Sequence, residues 1–180
     1  MRLQKIGSAF KKSKALSVFR NEEKIYIANR MAIYLSNHLQ HITPYMLLNI
    51  FDIPQDKQDE WALHESDLPE TISFNSNTNN DEELSNMQIR IAWKGNHLRF
   101  FKAEDDASGQ IEIFAVDEKY IAPLLDKPEY LNFFAREGEK NKYIIAKVGL
   151  EVEAVIMPYN YKSDEKLNDE LTDILTSGLV

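Results

Sequence analysis

Cysteine is absent from the chain, and its absence removes disulfides, thiolate nucleophiles and every zinc site built on sulfur. Glycine is scarce, with six in 180 residues, so few positions let bare backbone cradle a phosphate. No Gly-rich phosphate loop, G-x-S-x-G elbow or H-E-x-x-H pair is written anywhere. No run approaches the roughly 20 apolar residues of a membrane span. The opening MRLQKIGSAFKKSK has cations but no apolar stretch behind them, so it does not read as a secretory leader. These absences predict a cytoplasmic chain with no membrane contact and no cofactor. Positive charge is also in the minority, 21 Lys and Arg against 29 Asp and Glu for a net charge of −8. That balance argues against nucleic-acid binding by the whole surface, because phosphate contacts need clustered cations, and leaves a local basic face open.

What is present begins with an ordinary 43% of hydrophobic residues, enough at this length for one domain with a real core. The most informative stretch is Ile111 to Tyr161. Ile111, Ile113 and Ala115 alternate with Glu112 and Phe114 as in a strand with one buried face. Asp117 fits a helix N-cap, with Tyr120, Ile121, Leu124 and Leu125 as an apolar stripe, and Pro123 should kink that helix or sit in its first turn. YLNFFARE, KYIIAKV and EVEAVIMPYNY then predict three strands, separated by turns at Gly138–Asn141 and Gly149–Leu150. The order is βαβββ.

That order, with DEKYIAPLL after a strand and VIMPYNY closing the last one, resembles the final domain of the bacterial sliding clamp, the β subunit of the replicative DNA polymerase. The resemblance covers about the last half of the chain. It implies an α+β, DNA clamp-like fold of two βαβββ halves, with curved antiparallel sheets and short helices on one face. It also implies that Met157 and Pro158 match the family's Met-Pro run beside the groove that takes peptides of polymerases and repair proteins. Pro123 and the tail after Tyr161 depart from the family pattern.

The first half reads compatibly. Leu16, Val18, Ile25 and Ile27 suggest a hairpin around Asn21-Glu22-Glu23, and MAIYLS at 31–36 a third strand. ALSVF at 15–19 also looks like the Leu-Ser-apolar-Phe peptide that clamp-binding proteins present, but its alternation reads as a strand. Thr43 and Pro44 open a helix that Ile53-Pro54 ends. ALHES and TISFN predict further strands. The halves then fall at about 15–74 and 87–161 of a single clamp-like domain, 1–162, joined by the polar stretch 75–86, which predicts a mobile loop. MQIRIAWK and HLRFFKAED predict a hairpin across Gly95-Asn96, and Asp105–Gly109 a turn. Residues 163–180 form a tail whose amphipathic helix, capped by Ser163, carries Leu167, Leu171, Ile174 and Leu175 on one stripe. The nearest surface for it in sequence is the groove beside Met157 and Pro158, where it would block that groove.

Candidate sites are few. Arg2, Lys5, Lys11, Lys12 and Lys14 make a basic amphipathic start, a weak nucleic-acid arm if its Ile6 and Phe10 do not simply pack on the body. His38 and His41 are three apart with no third ligand in register, and the acids between Asp52 and Glu70 lack the glycine and spacing of a calcium loop, so no metal site is expected. Tyr130, Phe133, Phe134, Phe100 and Phe101 suit a base-stacking platform less well than a core, since adjacent Phe-Phe steps put one ring on each side of a sheet. The helices of ring clamps line the DNA channel with Lys and Arg, whereas YMLLNIFD has no cation and DEKYIAPLLDK only Lys119 and Lys127. The reading is a non-enzymatic protein-interaction module, an accessory to DNA replication in a phage or mobile element. Its expected partner is a protein or peptide, with weak DNA binding and assembly into oligomers open. The alternatives are a structural or regulatory protein that keeps only the fold, and an enzyme using carboxylates without a local motif.

Overall fold

Period-two alternation organises the strands of the computed structural model, which describes residues 3–21, 24–37, 39–76, 81–104, 109–126 and 128–177. Arg2, Glu22, Glu23, His38, Lys127 and the expected turn at 105–108 lie outside the described residues. The chain runs α1 (Leu3–Phe10), β1 (Ala15–Asn21), β2 (Lys24–Ala28), β3 (Ala32–Ser36), α2 (Pro44–Ile50), α3 (Gln55–Gln58), β4 (Ala62–Asp67), β5 (Glu82–Glu83), β6 (Ser85–Trp93), β7 (Asn96–Glu104) and β8 (Ile111–Asp117). It continues through α4 (Glu118–Ile121), β9 (Leu131–Arg136), β10 (Tyr143–Val148), β11 (Glu151–Ile156) and α5 (Glu165–Thr176). The class is α+β.

The large sheet has the order β4-β1-β2-β3-β11-β10-β9-β5, and β6-β7-β8 form a second, smaller sheet. The antiparallel meanders β1-β2-β3 and β9-β10-β11 meet where β3 pairs antiparallel with β11, Ile33 opposite Val155. From β1 to β9 the order is therefore a palindrome, and each meander is preceded by a helix, α1 in one case and α4 in the other. Those two helices pack on each other. The internal correspondence thus differs from the one expected: the helix matching α4 is α1, ahead of its meander, whereas α2 follows its own. Two further departures from antiparallel βαβββ halves are plain. The crossover through α2 and α3 makes β4 parallel to β1, and β8 leaves the sheet of β9–β11 to pair with β7.

Alternation explains the layers. Leu16, Val18, Ile25, Ile27, Ala32, Tyr34, Ile144, Ala146, Ala154 and Ile156 face one way, into a core closed by Ile6 and Phe10 of α1, Leu47 and Leu48 of α2, and Tyr120, Ile121 and Leu124. The helices α1, α2 and α4 therefore share one face of the large sheet. Thr43 caps α2 by accepting the Met46 amide, and Asp117 caps α4 by accepting that of Lys119. Pro123 lets α4 run only one turn before a 3-10 turn over Ala122–Leu124. The paired aromatics divide as strand geometry requires: Phe101 and Phe133 enter the main core, Phe100 a second core and Phe134 the outer face.

The second core lies between the small sheet and α5, where Leu167 and Leu171 meet Met87, Ile89, Ile91, Leu98 and Phe100. The C-terminal helix therefore docks, but on this sheet and not in the groove beside Met157 and Pro158; its N-cap residue is Asp164, not Ser163. On the outer face of the large sheet, Leu68, Ile72 and Phe74 cross Tyr26, Ile33, Leu35, Tyr143 and Ile145. TISFN is thus an apolar strap and not a strand. Its end is held by Arg136, which donates to both oxygens of Asp81 at 2.7 and 2.9 Å and to the Ser73 and Asn75 carbonyls. Lys147 also reaches Asp81, at 2.8 Å. Outside 77–80, the stretch expected as a mobile loop is bound to the body, with Glu82 and Glu83 paired to β9 and Leu84 buried. The β6–β7 turn is Lys94-Gly95, with φ of +47° and +75°, the left-handed pair that a tight hairpin demands.

Candidate functional site

The two sheets are bridged by the residues that follow β11. Ile156 ends its pairing with Ala32, and the Met157 amide donates to the Met31 carbonyl at 2.8 Å. Pro158 has no amide to donate. The Tyr159 amide donates to the Ala115 carbonyl of β8 at 2.7 Å. Met157, Pro158 and Tyr159 thereby pass from the large sheet to the small one, and proline stiffens the step between two anchored residues. Each side of this crossing opens into a cleft.

The first cleft, about 260 Å³, is lined by Met31, Tyr120, Met157 and Tyr159 with Lys12, Ser13, Asn96, Asp117 and Lys119. Its polar groups converge. Lys12 comes from the turn after α1, Asn96 from the start of β7, and Asp117 and Lys119 from the β8–α4 junction. The ammonium groups of Lys12 and Lys119 both donate to Asn96 Oδ1, each at 3.3 Å. Lys119 also pairs with buried Asp117 at 2.5 Å and lies 4.9 Å from the Tyr120 ring centre. Lys12 is exposed.

The second cleft, about 350 Å³, lies across Met157 and Pro158 and is lined by Ile113, Phe114, Tyr159, Tyr161, Glu112 and Lys142, among others. Lys142 is its electrostatic centre, 2.8 Å from Glu82, 2.9 Å from Glu112 and 3.7 Å from Glu137. Burial works against the charge on Lys142, but its hydrogen bonds to Glu82 and Glu112 outweigh burial and hold the ammonium well above the usual lysine range. Lys162, which is exposed, adds a second cation to the lining.

Met157 therefore lines both clefts and Pro158 the second. Lys5, Lys11, Lys12 and Lys14 do not act together. α1 buries Ile6, Ala9 and Phe10 against the body, Lys12 turns to the first cleft, and Lys14 pairs with Glu60. Lys11 is exposed and Lys5 half-buried. No group of three His, Asp or Glu side chains suited to a metal occurs among the described residues. The cleft residues Met31, Asn96 and Tyr159 escaped the sequence reading, because they are close only through the pairing of β3 with β11 and of Tyr159 with β8. Asp117 and Lys119 were visible as a cap and a cation, with no sign that they faced Asn96. No helix of the described chain is long and apolar enough to cross a membrane. In comparison with known proteins the chain matches no family model, no curated protein and no solved structure.

Proposed function

We propose that this chain is a non-enzymatic, clamp-like protein-interaction module whose groove beside Met157 and Pro158 receives a short peptide segment, in an accessory role to DNA replication in a phage or mobile element. The observation that carries the reading is the Met157-Pro158-Tyr159 crossing. It is rigid, tied to both sheets, and flanked by apolar floors with a few polar groups at the rim, the usual composition of a recognition site. The palindromic strand order and the packing of α1 on α4 support the clamp likeness. Clustered acid-base pairs aimed into a cleft would favour catalysis; here the carboxylates flanking the crossing are engaged with Lys119 and Lys142. DNA is at most a minor ligand at a net charge of −8.

The test is a fluorescence-polarisation titration with a labelled Leu-Ser-apolar-Phe peptide of the kind clamp-binding proteins present. Saturable binding by the wild type, lost in Met157→Glu with the circular dichroism spectrum unchanged, is the expected result. Equal binding by the variant, or no binding by either protein, overturns the reading and leaves a structural or regulatory role without this groove.

A further inference from the structure

The first cleft brings its charged groups together around one neutral side chain, Asn96. At its mouth stand two ammonium groups, Lys12 and Lys119, and one carboxylate, Asp117. Asp117 is matched to Lys119 by the 2.5 Å pair, and the two cations share one neutral oxygen, Asn96 Oδ1. One unit of positive charge is left over, on exposed Lys12, beside a floor of Met31, Tyr120, Met157 and Tyr159. The crossing also offers no backbone donors: the Met157 and Tyr159 amides are bonded to Met31 and Ala115, and Pro158 has none. An extended peptide adding here as a strand would find no main-chain donor along the crossing, in a mode that relies on main-chain hydrogen bonds. The features that distinguish this site are an apolar floor and one surplus charge at its mouth.

We infer that the Lys12 cleft binds the C-terminal end of a partner chain, the last apolar side chain filling the space between Met157 and Tyr120 and the terminal carboxylate meeting Lys12. This rests on the peptide-binding reading and specifies its ligand. A chain end places a carboxylate one atom from the carbon that bears its last side chain, which suits a small cleft with its cation at the rim. A single surplus charge fits a monoanion, whereas Asp117 beside Lys119 opposes the second charge of a phosphate monoester.

The experiment compares two labelled peptides, identical and ending in Leu-Phe, one with a free carboxylate and one amidated, on the wild type, Lys12→Gln and Lys11→Gln. A charge-assisted contact of this kind predicts that the wild type binds the acid about tenfold more tightly than the amide. Lys12→Gln should bind the two within about twofold of each other, and Lys11→Gln should keep the wild-type preference. Equal binding of acid and amide by the wild type overturns the inference while leaving peptide binding by the groove intact. So does a preference for the acid that survives Lys12→Gln. Failure of both peptides to bind the wild type overturns this inference and the peptide-binding reading together.

Discussion

Tyr34 lies wholly inside the main core, and its hydroxyl donates to the Tyr120 carbonyl at 2.7 Å, tying β3 to α4. Burial pushes the phenol well above its ordinary value, so the neutral donor is the native form. Its contribution is fully present below the unfolded phenol value of roughly 10 and is lost as pH rises through the folded one. Tyr34→Phe removes this buried hydrogen bond, and urea unfolding should show a loss of about 1 kcal/mol. The Asp81 contacts have larger consequences, because Arg136 and Lys147 are themselves mostly buried. Asp81→Ala should destabilise by about 3–5 kcal/mol and make residues 73–84 the first site of proteolytic cleavage; a variant as stable and as resistant as the wild type would refute the latch. Asp164 accepts from Trp93 Nε1 at 2.9 Å and Lys94 Nζ at 2.6 Å, and the bonds from Lys94 and then Trp93 hold its carboxyl below the usual carboxylate value. With the folded value depressed, the stabilisation is complete above roughly pH 4 and disappears as pH falls through the folded value. In a Trp61→Phe background, Trp93 emission should stay constant from neutral pH to about 4 and change only below it.

Among the elements, α1 is held by a close approach. A Cβ on Gly7 would stand 2.5 Å from Phe51 Cγ, so only glycine lets α1 lie against the end of α2. Gly7→Ala gains helix propensity, but the clash should dominate, with a net loss of about 1–3 kcal/mol in a denaturation series. The same packing makes deletion of residues 1–14 a poor test of their lysines, since it removes Ile6 and Phe10 from the core. α5 is a lid on the small sheet. Leu171→Ala should cost about 2–5 kcal/mol. Truncation after Lys162 should expose the apolar face of Met87, Ile89, Ile91, Leu98 and Phe100 and lower solubility. It should leave peptide affinity at Met157 unchanged, because α5 residues line neither cleft; tighter peptide binding on truncation would contradict that placement.

For the whole molecule, charge decides what can be bound. Of the N-terminal lysines in the described chain, Lys14 is paired with Glu60 and Lys12 is turned to the cleft, leaving Lys5 and Lys11 to meet a phosphate backbone. Few counterions would be released, so duplex DNA should bind weakly at physiological salt, with a salt slope corresponding to about two phosphates. Lys5→Gln with Lys11→Gln should abolish what remains, and sedimentation with and without DNA should show the same mass. Tight association that persists in the double variant would refute the charge argument.

Local chemistry was legible in the sequence wherever it acts over a few residues. The alternation of Leu16 with Val18 and of Ile25 with Ile27 specifies strands because side chains in a strand change face at every step. Thr43 and Asp117 mark helix starts because their oxygens reach amides two or three residues on. The Leu167, Leu171 stripe requires a cover because a short amphipathic helix does not persist alone. Tertiary structure alone decided the partners of these elements: β3 with β11, β4 parallel to β1, β8 with β7, α5 on the small sheet, and Asp81 between Arg136 and Lys147. Each joins residues far apart along the chain, where period and capping specify what must be buried or bonded but leave the complementary surface unspecified. The cleft of Lys12, Asn96, Lys119 and Met157 belongs to that second class. Its side chains come from five separated segments, and tertiary contacts such as the pairings of β3 with β11 and of Tyr159 with Ala115 bring them to one place.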